Sequence, residues 1–190
     1  MNKDYDYSRF INDLKITTEN FFEASSEKLD KVIDLLCESL LSGHKILIFG
    51  NGGSASQSQH FAAELINKFL KVRSPLPALS LTTDTSAITS IANDFSYDLV
   101  FSRQIEALGE KGDVAIGLST SGNSQNVIFA FESARKKGLK TIAITGNGGG
   151  KMAAVCDYLL DVYSDLTPRI QEVHLLILHI LAEEIEKKLC

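Results

Sequence analysis

From residue 45 onward the chain alternates short unbroken apolar runs with longer stretches in which apolar residues recur every three or four positions. The runs at 45–49, 78–81, 114–118, 141–145 and 158–162 are bounded by polar or glycine-containing turns and are too short for buried helices, so they read as strands. Helical spacing falls between them at about 54–71, 85–107, 124–137 and 148–155, and a last, strongly apolar helix runs from about 168 to 188. Before the first strand, residues from about 6 to 42 read as two helices. Phe10, Ile11, Leu14, Ile16 and Phe21-Phe22 mark the first; Leu29, Val32, Ile33, Leu36 and Leu40 mark the second. Ser25-Ser26 with Glu27 reads as a break and N-cap between them, and Ser42-Gly43 as the stop. Strands that are apolar throughout, rather than alternating, belong to a parallel sheet covered on both faces. With right-handed crossovers the expected fold is α/β: a doubly wound, five-stranded parallel sheet flanked by helices, with an N-terminal helical pair. No linker, repeat or low-complexity segment divides the chain, so 1–190 is expected to be one domain. Within it, 1–42 are helices for packing or oligomerisation and 43–190 are the α/β core.

Ligands of such sheets bind outside the carboxyl ends of the strands, which directs attention to two turns. Ser119-Thr120-Ser121-Gly122-Asn123-Ser124 follows the third strand and opens a helix. Four hydroxyls in six residues exceed what helix capping requires. Hydroxyls, free backbone N–H groups and a helix N-terminus at one point make an anion site. The turn has no lysine and no glycine ladder, which favours a small phosphorylated metabolite, a sugar phosphate, over a nucleoside triphosphate. Gly50-Asn51-Gly52-Gly53-Ser54 follows the first strand. Its glycines let the backbone approach a ligand and Ser54 is placed to cap the next helix, but GxGxxG is not met. Gly146-Asn-Gly-Gly-Gly-Lys151-Met152 imitates a P-loop without satisfying it, since Thr145 stands where the first glycine belongs and Met152 where Ser or Thr belongs. It reads as a flexible loop.

His60 and Glu64, four apart in a helical stretch, share one face and point toward the same mouth. HxxxE serves either as a bidentate metal site or as a base beside an acid. In the apolar last helix, His174 and His179 read as packed interface histidines or as site residues. Gln171 and His179 are eight residues apart, about 12 Å along a helix, so either both reach one site with extended side chains or a partner subunit supplies one of them.

Composition narrows the class. The 190 residues suffice for one sizeable core, 44% are hydrophobic and 23% charged, and the net charge is −5. That balance shows no electrostatic footprint for nucleic acid or an anionic membrane, and no apolar stretch is long enough to span a bilayer. The first residues, Met1-Asn-Lys-Asp-Tyr-Asp-Tyr7, are polar and acidic, unlike a targeting peptide. Cys37, Cys156 and Cys190 are far apart and without CxxC spacing, so reduced thiols and a cytoplasmic location are expected.

With these residues assembled, the chain resembles the sugar isomerase (SIS) domain proteins and, within them, the bacterial phosphoheptose isomerases. The resemblance spans nearly the whole chain and rests on Phe49-Gly-Asn-Gly-Gly-Ser54, His60-Phe-Ala-Ala-Glu64, Asn93-Asp94, Phe101-Ser-Arg-Gln104, residues 119–124 and Arg169-Ile-Gln-Glu-Val-His174. It implies a ketol–aldol isomerase that converts sedoheptulose 7-phosphate to D-glycero-D-manno-heptose 7-phosphate, the opening step of nucleotide-activated heptose synthesis. By resemblance, Asn51, Gly52, Gly53, Ser54, Glu64, Asn93, Asp94, Ser119, Thr120, Ser121, Ser124 and Gln171 contact the sugar phosphate. Glu64 and His179 are the acid/base pair. His60, Glu64, Gln171 and His179 are linked to one zinc per subunit, and the assembly is a homotetramer with its sites between subunits. Lys68-Phe69 departs from the family, whose members often carry arginine before the aromatic. The competing reading is a non-catalytic tetrameric SIS adaptor of the DnaA-associating kind, in which the positions of Glu64 and His179 are replaced.

Overall fold

The computed structural model describes residues 7–190; the polar residues 1–6, including the expected start of the first helix, lie outside the described residues. The chain runs α1 (Ser8–Leu41), β1 (Ile46–Gly50), α2 (Gly53–Ile66), β2 (Ala78–Ser80), α3 (Thr85–Asp94), α4 (Ser102–Leu108), β3 (Val114–Ser119), α5 (Gln125–Lys137), β4 (Lys140–Gly146), β5 (Tyr158–Val162) and α6 (Thr167–Leu189). The five strands form one parallel sheet in the order β2-β1-β3-β4-β5.

The strands β1, β3, β4 and β5 feed both faces of the sheet, as the two-residue side-chain period requires. Ile46 and Ile48 of β1 join α1, α2 and α6 in one apolar cluster, while Leu47 and Phe49 join α4 and α5 in the other. Every residue of β1 and β3 is buried, which explains their unbroken apolar runs. The connection from β1 leads outward to β2, and β3 returns to β1's other side. The two central strands therefore diverge in chain direction at their carboxyl ends, the place where such sheets leave a crevice. Gly50 and Leu118 are register partners there, so the turns after β1 and β3 start side by side.

The expected N-terminal helical pair is instead one continuous helix, α1. Its buried stripe runs Thr17, Phe21, Ser25, Leu29, Val32, Leu36, Leu40 without a change of phase, so Ser25 lies inside the stripe. Ser26 satisfies its hydroxyl on the Phe22 carbonyl one turn back, and a serine so bonded is tolerated mid-helix. The stop at Gly43 is as expected: Gly43 N–H donates to Leu40 O at 3.1 Å and His44 N–H to Ser39 O at 3.1 Å, a Schellman closure. The helix expected over 85–107 is two helices around a 3₁₀ turn, Tyr97–Leu99, which Ser96 opens by accepting from Asp98 N–H at 3.1 Å. The helix expected over 54–71 ends at Ile66, and that over 148–155 is an irregular 3₁₀ stretch, Asn147–Ala154, broken by three glycines at positive φ. No helix among the described residues is long and apolar enough to cross a membrane, and the three cysteines are free.

Candidate active site

The turns after β1 and β3 enclose a cavity of about 120 Å³, lined by Asn51, Ser54, Gln171 and the hydroxyl residues Ser119, Thr120, Ser121 and Ser124. Ser124 is the N-cap residue of α5 yet makes no side-chain capping bond. Its hydroxyl turns to Ser119 Oγ at 2.8 Å, and Ser121 Oγ stands 3.4 Å from Ser119 Oγ. Ser54, which the sequence placed as the cap of α2, does not cap it; the cap is Gly52, whose φ of +57° suits glycine. Two helix N-termini, α2 and α5, thus reach this cavity without side-chain caps, and their first N–H groups and positive dipole ends favour an anion.

The cavity is held from behind. Asn51 and Asn126 exchange amide hydrogen bonds in both directions at 2.9 Å, and the Tyr97 hydroxyl donates to Asn51 Oδ1 at 3.0 Å. The glycine-rich segment after β4 is fastened to the hydroxyl turn rather than loose. Met152 N–H donates to Gly122 O at 2.9 Å, Lys151 N–H to Asn123 Oδ1 at 3.1 Å, and Asn123 Nδ2 to Ser121 O at 2.7 Å. The approach is so close that a Cβ on Gly122 would lie 2.1 Å from Gly149 O.

The second group sits farther along α2. His60 Nε2 lies 3.0 Å from Glu64 Oε1, and α6 brings His179 Nε2 to 3.0 Å from His60 Nε2 and 3.6 Å from Glu64 Oε1. The two imidazoles stay partly open to solvent while the Glu64 side chain is only 13% exposed. Glu64 Oε2 is buried without a hydrogen-bond partner. Burial pushes the Glu64 carboxyl above its usual range, although His60 and His179 pull the other way. The three residues converge closely enough to hold a metal ion. They also place a basic carboxylate next to an imidazole, the pair that proton transfer between neighbouring atoms requires.

Of the other expected residues, Gln171 belongs to the cavity: a side chain at Gly53 would meet the Gln171 amide at 2.9 Å, and the Gln171 carbonyl accepts from Gln57 Nε2 at 2.7 Å. One chain therefore brings both Gln171 and His179 against α2. Asn93 and Asp94 end α3, hydrogen-bonded to each other at 2.8 Å and exposed, and the structure brings them to neither group. His174 is the packed histidine: fully buried, with Nε2 2.9 Å from Thr145 O. Sequence reasoning overlooked Asn126, Tyr97 and the part played by Phe69, whose ring stacks on His179 at 5.7 Å and 28°. Asn126 carried a faint signal, a polar residue in the first turn of a helix whose following residues are apolar.

The sequence pattern of the SIS domain family matches residues 9–146. The chain is 55% identical over 165 residues to a phosphoheptose isomerase of Helicobacter pylori (strain P12), covering 87% of this chain and 86% of that one. It is 52% identical over 162 residues to a probable phosphoheptose isomerase of Thermoplasma acidophilum, covering 85% and 89%. The solved phosphoheptose isomerase of Neisseria gonorrhoeae superposes with a TM-score of 0.89 at 42% identity, over 95% of this chain and 96% of that one. By sequence and by fold, the chain accordingly belongs to the SIS domain family and, within it, to the phosphoheptose isomerases.

Proposed function

We propose that this protein isomerises sedoheptulose 7-phosphate to D-glycero-D-manno-heptose 7-phosphate through an enediol(ate). The observation that carries the reading is the pairing of an anion cavity with the Glu64–His179 pair, both set along α2 and α6. The eight residues from Gln171 to His179 span about 12 Å of helix. A ligand touching both groups is therefore extended, with its phosphate remote from its reacting carbons, which describes an open-chain sugar phosphate. The Ser119–Ser124 hydroxyls, Thr120, Ser121, Ser54, the 52–53 backbone and Gln171 take the phosphate end, so binding energy there orients the carbons at Glu64. Glu64 removes a proton from C1 of the ketose, next to the C2 carbonyl. His179 moves the hydroxyl proton between O1 and O2, and return of a proton to C2 gives the aldose. No atom is gained or lost.

Zinc fits the donor set. Ligands on a tetrahedral zinc with bonds of about 2.0–2.1 Å stand roughly 3.4 Å apart, against 3.0, 3.0 and 3.6 Å between the donors here. His60, Glu64 and His179 would hold it, and bound zinc would supply Lewis-acid polarisation of the substrate carbonyl; Gln171, the fourth member that the resemblance implied, lines the anion cavity. Glu64 is asked to serve as both ligand and base. Oε1 faces both imidazoles while Oε2 is buried, so a zinc held at Oε1 would compete with the proton for that oxygen.

We further place the enzyme in the cytoplasm as a homotetramer, with Asn93 and Asp94 brought to the sugar phosphate by subunit packing. In support, α3 buries none of its residues within one chain, and Phe10, Ile11 and Ile16 stand 58%, 65% and 55% exposed along α1. The function is tested by turnover of sedoheptulose 7-phosphate with and without a chelator, with Glu64→Gln as control; a protein that turns over in no metal condition returns the reading to a SIS adaptor.

A further inference from the structure

Between the end of α2 and the start of β2 the chain has no regular structure, yet its middle is tightly held. The Glu186 carboxylate, near the end of α6, accepts from the backbone N–H groups of Phe69 at 3.0 Å, Leu70 at 2.9 Å and Lys71 at 2.5 Å, and from Arg73 Nε at 3.1 Å. The Arg73 guanidinium also donates to the carbonyls of Glu64 at 2.8 Å and Leu65 at 2.7 Å, near the C-terminal end of α2. The two side chains are 3% and 2% exposed. Burying an ion pair is costly unless its remaining donors and acceptors are met, and here the backbone meets them. Closing a surface loop does not demand such an arrangement.

Both ends of this clamp lead to the reacting groups. Arg73 grips the carbonyl of Glu64 itself, one of the helix-end carbonyls that need a partner. The turn held by Glu186 presents Phe69, whose ring lies stacked against the His179 imidazole. His179 also meets the His60 ring edge-on, with centroids 5.2 Å apart and planes at 67°. The imidazole is thus in contact with two rings.

We propose that Phe69, held by the buried Arg73–Glu186 pair, is a positioning residue that fixes the His179 imidazole against Glu64. The inference rests on the reading that these two residues carry the proton transfers. Its physical basis is that a histidine on a solvent-open helix face otherwise samples several rotamers, and small misplacements of a reacting group are costly to the rate.

The deciding variant is Phe69→Leu, which keeps an apolar side chain and removes the flat ring; Phe69→Tyr restores it, and Glu186→Gln loosens the clamp. Steady-state kinetics and zinc affinity, the latter by competition with a chromophoric chelator, are measured on protein whose circular dichroism matches wild type. Supporting partners of metal-binding and catalytic histidines typically contribute about 10–100-fold. Phe69→Leu is expected to lower kcat about tenfold or more with KM within about twofold, and to weaken zinc about tenfold. Phe69→Tyr is expected to recover both, and Glu186→Gln to follow Phe69→Leu. A Phe69→Leu protein with wild-type kcat and zinc affinity overturns the proposal, as does a rise in KM alone. A wild type that binds zinc without turning over the heptose phosphate would sink the isomerase reading, while the ratio of zinc affinities still decides the positioning role. A wild type that does neither overturns both.

Discussion

At the scale of single residues, burial separates groups that the sequence presents alike. His174 and His179 lie on one helix, five positions apart. His174 is fully buried with one nitrogen on the Thr145 carbonyl and the other, Nδ1, without a partner, so burial drives its pKa down to about 4. The unfolded chain takes up this proton near the ordinary value of 6.5, whereas the folded one does so only near 4. Between those values the unfolded state binds more protons, so stability falls as pH falls. The full shift corresponds to roughly 3 kcal/mol. Chemical denaturation at pH 7 and at pH 4.5 is expected to show most of that loss, with a shallower dependence in His174→Gln; equal slopes in the two proteins would contradict it. Ser124 makes a second residue-level case. Its hydroxyl faces the cavity instead of capping α5, and a hydrogen bond to a charged group contributes about 1.5–3 kcal/mol. Ser124→Ala is expected to raise KM about tenfold or more with kcat little changed; a loss confined to kcat would argue against phosphate binding there.

At the scale of elements, the strands were legible and some helix limits were not. Five unbroken apolar runs announced the parallel sheet because both faces of each central strand are covered, and periodicity needed no further information. The break expected at Ser25-Ser26 is absent because a small residue at one position of a buried stripe does not interrupt packing when the flanking residues keep phase. Capping chemistry and mid-helix back-bonding use the same residue types, so the serine pair was ambiguous in sequence. The glycine-rich segment after β4 looked flexible for a related reason. Glycine permits close approach as well as freedom, and the partner, the turn at Gly122, is distant in sequence. Phe69 was beyond sequence reasoning because its effect depends on a buried pair, Arg73 and Glu186, more than a hundred residues apart. The fastening of the hydroxyl turn carries its own prediction. Gly122 has φ +64° and no room for a Cβ beside Gly149 O. Gly122→Ala should cost about 2 kcal/mol or more, seen as a fall in Tm of at least about 4 °C, and should raise KM. An unchanged melting curve would mean that the two loops separate freely.

At the scale of the molecule, strand order places both functional turns at the divergence of β1 and β3, and α2 and α6 carry the chemistry outward from there. The sequence located the turns and paired His60 with Glu64 by helical spacing. Spacing alone left open which histidine of the last helix completes the group, since that depends on how α6 crosses α2, and it was the resemblance that named His179. Asn93 and Asp94 stay apart from the cavity in one chain, which ties the proposed site to assembly. Light scattering is expected to give four times the 20.8 kDa chain mass, and Ile16→Lys, on the exposed stripe of α1, a smaller species; a wild-type monomer would remove the subunit-packing account of Asn93 and Asp94. The central claim is more directly exposed to the isomerase assay itself. Purified wild-type protein should interconvert sedoheptulose 7-phosphate and the aldoheptose 7-phosphate, and Glu64→Gln, folded as wild type, should lose at least about 100-fold in kcat, as removal of a general base does. Wild-type turnover that survives intact in Glu64→Gln would contradict the account.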